Sequence, residues 1–174
     1  MNEVQERMIE FLPRLRRFAY TLTGDLDKAD DLVQDTCERA LERSHQWKPG
    51  TKLDSWMYRI AQNVWLDQYR ARRVRREQTG LEEAEEFAGA DGRSVTESRL
   101  TLAAVNEGIG RLPADQQVLI AMVCVEGLSY KEAASILEIP IGTVMSRLAR
   151  ARQALYAAIT GEPAPQVSQH GSVK

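Results

Sequence analysis

Cysteine and histidine are scarce in this chain, and their placement removes whole classes of chemistry. Its 174 residues hold two cysteines, Cys37 and Cys124, and two histidines, His45 and His170. All four stand apart, with no Cys-x-x-Cys pair and no Cys/His cluster. A zinc site or dithiol motif is therefore not expected, and the thiols read as small apolar groups within helical patterns. Neither a nucleophile–base pair nor a Gly-rich phosphate loop is present, so no enzyme, no cofactor and no small-molecule substrate are expected. No apolar run approaches the roughly 18–20 residues that a bilayer span needs. The first residues, MNEVQERMIEFLPRLRR, mix acids and bases and lack the apolar core of an export signal. A cytoplasmic protein without membrane insertion is expected.

Excess positive charge is also missing: the net charge is −2. The distribution matters more than the sum, because screening confines charge effects to roughly 8–10 Å. Arg70, Arg72, Arg73, Arg75 and Arg76 crowd one segment, and Arg147, Arg150 and Arg152 another. Between them, residues 77–92 carry Glu77, Glu82, Glu83, Glu85, Glu86 and Asp91 and no base. Two basic modules are separated by an acidic strap.

No alternating strand pattern occurs, and helical periodicity prevails. A first helix is expected over about 3–22, with Met8, Phe11, Leu12, Leu15, Phe18, Ala19 and Leu22 inward. Pro13 should kink or break it, Gly24 should end it, and Asp25 can cap its successor. A second helix, about 27–44, should bury Ala29, Leu32, Val33, Cys37, Ala40 and Leu41. A loop at 45–53 precedes a long helix, about 54–76. Further helices fall near 97–111, 115–126, 130–137 and 143–160, with Pro113 at the mouth of one and a Ser129/Glu132 capping box opening another. The fold expected is all-α, with two small helical domains, 1–77 and 95–160, joined by a flexible acidic linker, 78–94, and followed by a disordered tail, 161–174. A helical turn around 81–87 is compatible with that linker.

Residues 128–152, LSYKEAASILEIPIGTVMSRLARAR, read as two short helices joined by a tight turn. In the second, Val144, Leu148, Ala151 and Leu155 form one apolar stripe, and Thr143, Ser146, Arg147 and Arg150 lie opposite. A packed back with an Arg/Ser/Thr front suits a helix lying in a DNA major groove, and Arg152 could reach a phosphate. Promoter DNA is the leading candidate ligand of this helix-turn-helix.

On the long helix, Arg59, Asn63, Leu66, Arg70 and Arg73 recur every three or four residues, opposite Met57, Ile60, Ala61 and Val64. The amide can both give and accept hydrogen bonds to a base, and the cations suit phosphate, though a solvated face is the plainer alternative. In the preceding loop, Trp47 beside Lys48 and Gly50 suits a pocket for an unstacked base or, equally, a plug for the core. Trp56 and Trp65 are expected to pack. Asp31, Gln34 and Asp35 share one side of the second helix.

Four blocks, in order and spacing, resemble the extracytoplasmic-function sigma factors, small promoter-specificity subunits of bacterial RNA polymerase. They are DKADDLVQDTCERAL at 27–41, LDSWMYRIAQNVWLDQYRARRVRR at 53–76, LPADQQVLIAMVCVEGLSYKEAASILEIP at 112–140 and GTVMSRLARARQAL at 142–155. The resemblance implies that Asp31, Gln34 and Asp35 dock on a basic coiled coil of the polymerase's largest subunit. It implies that the stripe of the long helix receives the non-template strand of the minus-ten element, with Asn63 near the base edges. Thr143, Ser146, Arg147, Arg150 and Arg152 would then meet the minus-thirty-five duplex. An anti-sigma partner that covers these faces is implied as well, as is a role in a stress or environmental response. Residues 82–86 would thread a basic polymerase channel or serve as a soluble tether.

Two departures stand out. Met145 occupies a place where relatives often carry Lys or Arg, and Glu138 replaces a frequent Gly after the first helix of the motif. The alternative reading is a conventional helix-turn-helix regulator with an N-terminal dimerisation or sensing unit. Such a regulator would bind duplex DNA alone, whereas a sigma factor becomes specific with polymerase.

Overall fold

The computed structural model describes residues 2–80 and 97–165, and all regular structure among them is helical. The expectations for the acidic segment beyond Gly80 and for the end of the tail lie outside the described residues. Helix α1 spans Glu3–Thr23, opened by a capping box in which Asn2 and Gln5 exchange hydrogen bonds of 3.0 Å. It runs unbroken through Pro13, which is exposed; the carbonyl deprived of its donor belongs to Ile9, 54% exposed, where water can take over. The expected break does not occur. Gly24 closes α1 in the left-handed conformation, and Asp25 accepts from the Lys28 amide at 2.8 Å to start α2, Leu26–Glu42.

Helix α2 buries Ala29, Leu32, Thr36 and Ala40. Val33 and Cys37 flank that stripe half-buried, and Leu41, expected inside, is exposed because it sits about 100° round from Ala40. The Thr36 hydroxyl is satisfied by the Leu32 carbonyl at 2.7 Å. A single 3₁₀ turn, Ser44–Gln46, leads to Trp47 and then to α3, Leu53–Thr79. Helix α3 packs against α1 and α2 with Leu53, Met57, Tyr58, Ile60, Ala61, Val64 and Trp65. The Tyr58 ring lies edge-on to Phe11 and Phe18, with centroids 5.0 and 5.1 Å away.

The second group comprises α4 (Glu97–Gly110), α5 (Ala114–Leu119), α6 (Tyr130–Leu137) and α7 (Ile141–Thr160). Helix α7 contacts α4, α5 and α6, so its apolar back organises the unit. At the α4 crossing, a Cβ on Gly108 would stand 3.0 Å from Leu155 Cδ2, so glycine permits the close approach. The buried Gln117 amide ties the start of α5 to the chain before it, donating to the carbonyls of Gly110 and Leu112. Beyond Leu119 the helix widens into a π-helical stretch, Ile120–Val125, where the Glu126 amide bonds back to Ala121 at 3.0 Å. The regular helix expected to 126 is thus half α and half π.

The two groups touch. Helix α1 packs on α4, α5 and the π-helical stretch, and α3 packs on α5 and α6.

Candidate nucleic-acid and docking surfaces

Helix α2 presents Asp31 and Gln34 to solvent, with Asp35 half-buried beside α3. The Gln68 amide of α3 donates to Asp35 at 2.7 Å, and Gln34 donates to Glu38 at 3.0 Å. These residues form one wall of a shallow groove, and Gln68, Arg72 and Arg75 form the other. Three expected docking residues therefore lie together on one exposed face, next to the basic end of α3.

The stripe on α3 divides into parts. Asn63, Arg70 and Arg73 are exposed, and Leu66 is half-buried. The Asn63 side-chain oxygen accepts from Gln62 at 2.7 Å. Arg70 and Arg73 stand near Asp67 and Glu77 at 3.8 and 3.5 Å, exposed pairs of small energetic weight. Arg59 is committed elsewhere: its Nε donates to the Ile136 carbonyl and its Nη2 to the Ser135 carbonyl, both at 3.1 Å, and Glu138 lies 3.4 Å away. Lys48 is exposed in the loop as expected, but Trp47 is only 6% exposed. Of the two expectations for Trp47, an exposed base pocket and a core plug, the structure shows the plug: the indole is buried under Arg7, whose guanidinium lies 5.6 Å from the ring. Trp65 is buried and Trp56 packs half-buried, as expected.

The helix-turn-helix forms as the sequence dictates. Ser129 and Glu132 make the capping box, with bonds of 2.9 and 3.0 Å. Hydrogen bonds from the Ser129 amide and from Lys52 hold the Glu132 carboxyl below its ordinary pKa. Glu138 ends α6 at φ 56°, ψ 42°, the left-handed conformation that glycine adopts without strain. Val144, Leu148 and Ala151 are buried and Leu155 is half-buried. Opposite them, Ser146 and Arg150 are exposed and Thr143 is half-buried, while Met145 is 53% exposed. Arg147 Nε lies 3.2 Å from the Asp115 carboxylate. Arg152 points another way round the helix, towards the Tyr130 hydroxyl at 3.1 Å and the Cys124 sulfur at 3.9 Å. It stands apart from the Thr143–Arg150 front.

Among the described residues, Glu126, Arg17, Tyr58, Arg14 and Asp54, which the pattern did not flag, form a connected polar cluster. The Glu126 carboxylate, with no side-chain exposure, accepts two bonds from Arg17 (2.7 and 2.9 Å) and one from the Tyr58 hydroxyl (2.8 Å). Arg14 Nε lies 3.6 Å from it, while Arg14 Nη1 donates to Asp54 at 2.7 Å. Burial, then the bond to Glu126, raises the Tyr58 pKa, and Glu126 raises that of Arg17. The one sequence cue was an acid placed at the end of a long apolar run.

Both cationic surfaces border a single groove. It is lined by Leu66, Tyr69, Arg70 and Arg73 of α3 and by Val118, Ile139 and Arg147 of the second group.

Comparison with known proteins gives concordant results for the two groups. Residues 8–75 match the family model for sigma-70 region 2, and residues 102–155 match that for sigma-70 region 4. The chain is 33% identical over 156 residues to the ECF RNA polymerase sigma factor EcfG of Rhodopseudomonas palustris, covering 90% of this chain and 84% of that one. It is 28% identical to the ECF RNA polymerase sigma factor SigW of Bacillus subtilis, over 82% of this chain and 81% of the other. Among solved structures, the sigma factor RpoE in complex with the anti-sigma factor NepR from Bartonella quintana superposes with a TM-score of 0.73. Identity there is 32%, and the match covers 91% of this chain and 97% of that one.

Proposed function

This chain belongs to the extracytoplasmic-function RNA polymerase sigma factors, and from that membership we propose how its surfaces divide the work of promoter-specific initiation. Asp31, Gln34 and Asp35 dock on a basic coiled coil of the polymerase's largest subunit. Complementary charge there sets register and encounter rate. Residues 1–77 carry this docking and the minus-ten contacts, 78–94 link, and 95–160 carry the minus-thirty-five contacts.

At the minus-ten element, Asn63, Arg70, Arg73 and Lys48 receive the non-template strand once it is opened. Arg59 joins them after leaving the carbonyls that it holds in the free protein. Capturing unstacked bases offsets a cost of a few kcal/mol per base, so melting needs no nucleotide hydrolysis. Trp47 would have to leave the core to accept a base, and the reading assigns it to the loop's packing. At the minus-thirty-five element, Thr143, Ser146, Arg147 and Arg150 face the major groove. Arg152 meets phosphate only by releasing Tyr130. The protein acts as an initiation factor rather than as an enzyme.

RpoE of Bartonella quintana is held by an anti-sigma factor, and we extend that kind of partner to this chain. Release from it would couple transcription to a stress or environmental signal.

The observation that carries this reading is the pairing of a region 2 match bearing the α3 stripe with a region 4 match bearing the α7 front. Run-off transcription with core polymerase, this protein and fragmented genomic DNA tests it. Discrete transcripts that need both proteins are expected, and their start sites would define the promoter. Failure to bind core polymerase or to select start sites would overturn it.

A further inference from the structure

We infer that Met145, with Ile141 one turn before it, selects thymine in the minus-thirty-five duplex by covering the 5-methyl group of that base. Both side chains are large, apolar and open to solvent, 53% and 49% exposed, on a helix whose opposite side is closed by Val144, Leu148 and Ala151. Four residues turn a helix by about 40° more than a full revolution, so Ile141, Met145 and Ala149 form one edge of the exposed face. Thr143, Arg147 and Arg150 form the other edge. Gly142 and Ser146 lie between the two, and a Cβ on Gly142 would meet nothing within 4 Å.

The chemistry of the apolar edge names its partner. A methionine side chain has no hydrogen to donate and its sulfur is a weak acceptor, so it holds neither a phosphate nor the polar edge of a base. In the major groove, thymine is the base that presents an apolar group, its methyl. A helix about 10–12 Å across fills a groove about 12 Å wide, so both edges of the exposed face come against base edges. The small residues between them let the backbone sit deep.

A protein partner fits this edge less well. The edge consists of two large side chains and one methyl group, whereas a stable protein interface buries about 800 Å² on each side. It is also continuous with Ser146 and Arg150, the polar groups assigned above to the same duplex. The inference rests on that assignment and deepens it. Arg147 and Arg150 read hydrogen-bonding edges, and the methionine edge reads a group that hydrogen bonding cannot detect. Thymine is thereby told from cytosine, which offers only a C5 hydrogen at the same place.

The test compares thymine with deoxyuridine, which pairs alike and lacks only the methyl. Holoenzyme reconstituted from core polymerase and the full chain is titrated on a synthetic duplex of the promoter mapped by run-off transcription. Each thymine of the minus-thirty-five element is replaced singly by deoxyuridine. Burying one methyl group is worth about a fourfold change in affinity, so one or two replacements should weaken binding by about that factor. Met145→Ala should weaken binding to the thymine duplex similarly and no longer distinguish it from the deoxyuridine duplex at one position. Ile141→Ala should do so at a neighbouring position, and Met145→Leu should keep the distinction. Helical circular dichroism and affinity for core polymerase should stay unchanged in all three, because neither side chain belongs to the core. An element whose methyl groups are all silent, or a thymine preference that persists in both alanine variants, would overturn the inference. Weakened core binding by Met145→Ala, with both duplexes bound equally by the unmodified protein, would overturn it by making the edge a protein contact. If no promoter emerges, the sigma-factor reading fails, and the comparison moves to duplexes that the chain alone selects from a randomised pool. There, a thymine preference abolished by Met145→Ala supports the methyl contact, and equal binding of the two forms overturns it.

Discussion

Arg147 of α7 lies 3.2 Å from Asp115 in the first turn of α5, so a cation of the front proposed to face DNA is held by an acid of its own unit. Both side chains are about a third to a half exposed, at 33% and 46%, which keeps the pair weak and lets the guanidinium turn to a stronger acceptor. A guanine edge offers two such acceptors in a fixed geometry.

Losing a bidentate Arg–guanine contact costs about 1–3 kcal/mol. Arg147→Ala combined with Arg150→Ala should therefore reduce transcription from the cognate promoter at least about tenfold while leaving affinity for core polymerase intact. Run-off assays paired with a core-binding titration check both halves. Unchanged transcription would remove these residues from promoter recognition.

Asp35 faces the groove between α2 and α3 and is not part of the core. Asp35→Lys should keep the helical spectrum and lower stability by about 1 kcal/mol through loss of the Gln68 bond. It should weaken binding to core polymerase by about 2–5 kcal/mol, the range for a mispaired charge in a desolvated interface. A variant that competes for core polymerase as well as the unmodified protein would rule out docking at this residue.

The Glu132 carboxyl is held below its ordinary value by the Ser129 amide and then by Lys52. A depressed folded value means that its contribution to stability is present above the unfolded carboxylate pKa of about 4.3 and fades as pH falls through the lower folded value. Glu132→Gln should flatten this part of the stability profile below about pH 4.3. Thermal melts from acid to neutral pH measure it. Identical profiles for the two proteins would contradict the assignment.

Glu138 holds φ 56° at the end of α6, and its contact with Arg59 is an exposed one at 3.4 Å. Replacing a strained left-handed residue by glycine relieves about 1 kcal/mol. Glu138→Gly should raise the melting temperature by about 2–4 °C, the scale expected for a chain of this size. A lowered melting temperature would mean that the Arg59 contact outweighs the backbone strain.

What could be read from the sequence was mostly local. Gly24, Asp25 and the Ser129/Glu132 box act within a few residues of where they stand, and each ends or begins a helix as its chemistry demands. The stripe of Val144, Leu148 and Ala151 follows from 3.6-residue periodicity, and so does that of Met57, Ile60, Ala61 and Val64. Trp47 stayed open between pocket and plug because neither exposure nor burial of an aromatic in a loop is encoded nearby; its cover is Arg7, on another helix. Leu41 escaped because one step round a helix surface separates core from solvent. The Glu126 cluster joins residues from three elements far apart in sequence, and no short-range pattern carries that information. The candidate site residues were read as faces of helices, whereas the commitment of Arg59 to α6 depends on how two groups of helices meet.

The π-helical stretch at Ile120–Val125 fits more residues into each revolution than a regular helix does. The residues that follow are consequently offset in angular phase from those of α5. Val118 and Leu119 face inward by one geometry, and Glu126 is delivered to α1 by another. Because α7 packs directly on α5 and Arg147 pairs with Asp115, a substitution that turns or repacks α5 is transmitted to α7 across that contact and not along the chain through the widened turn.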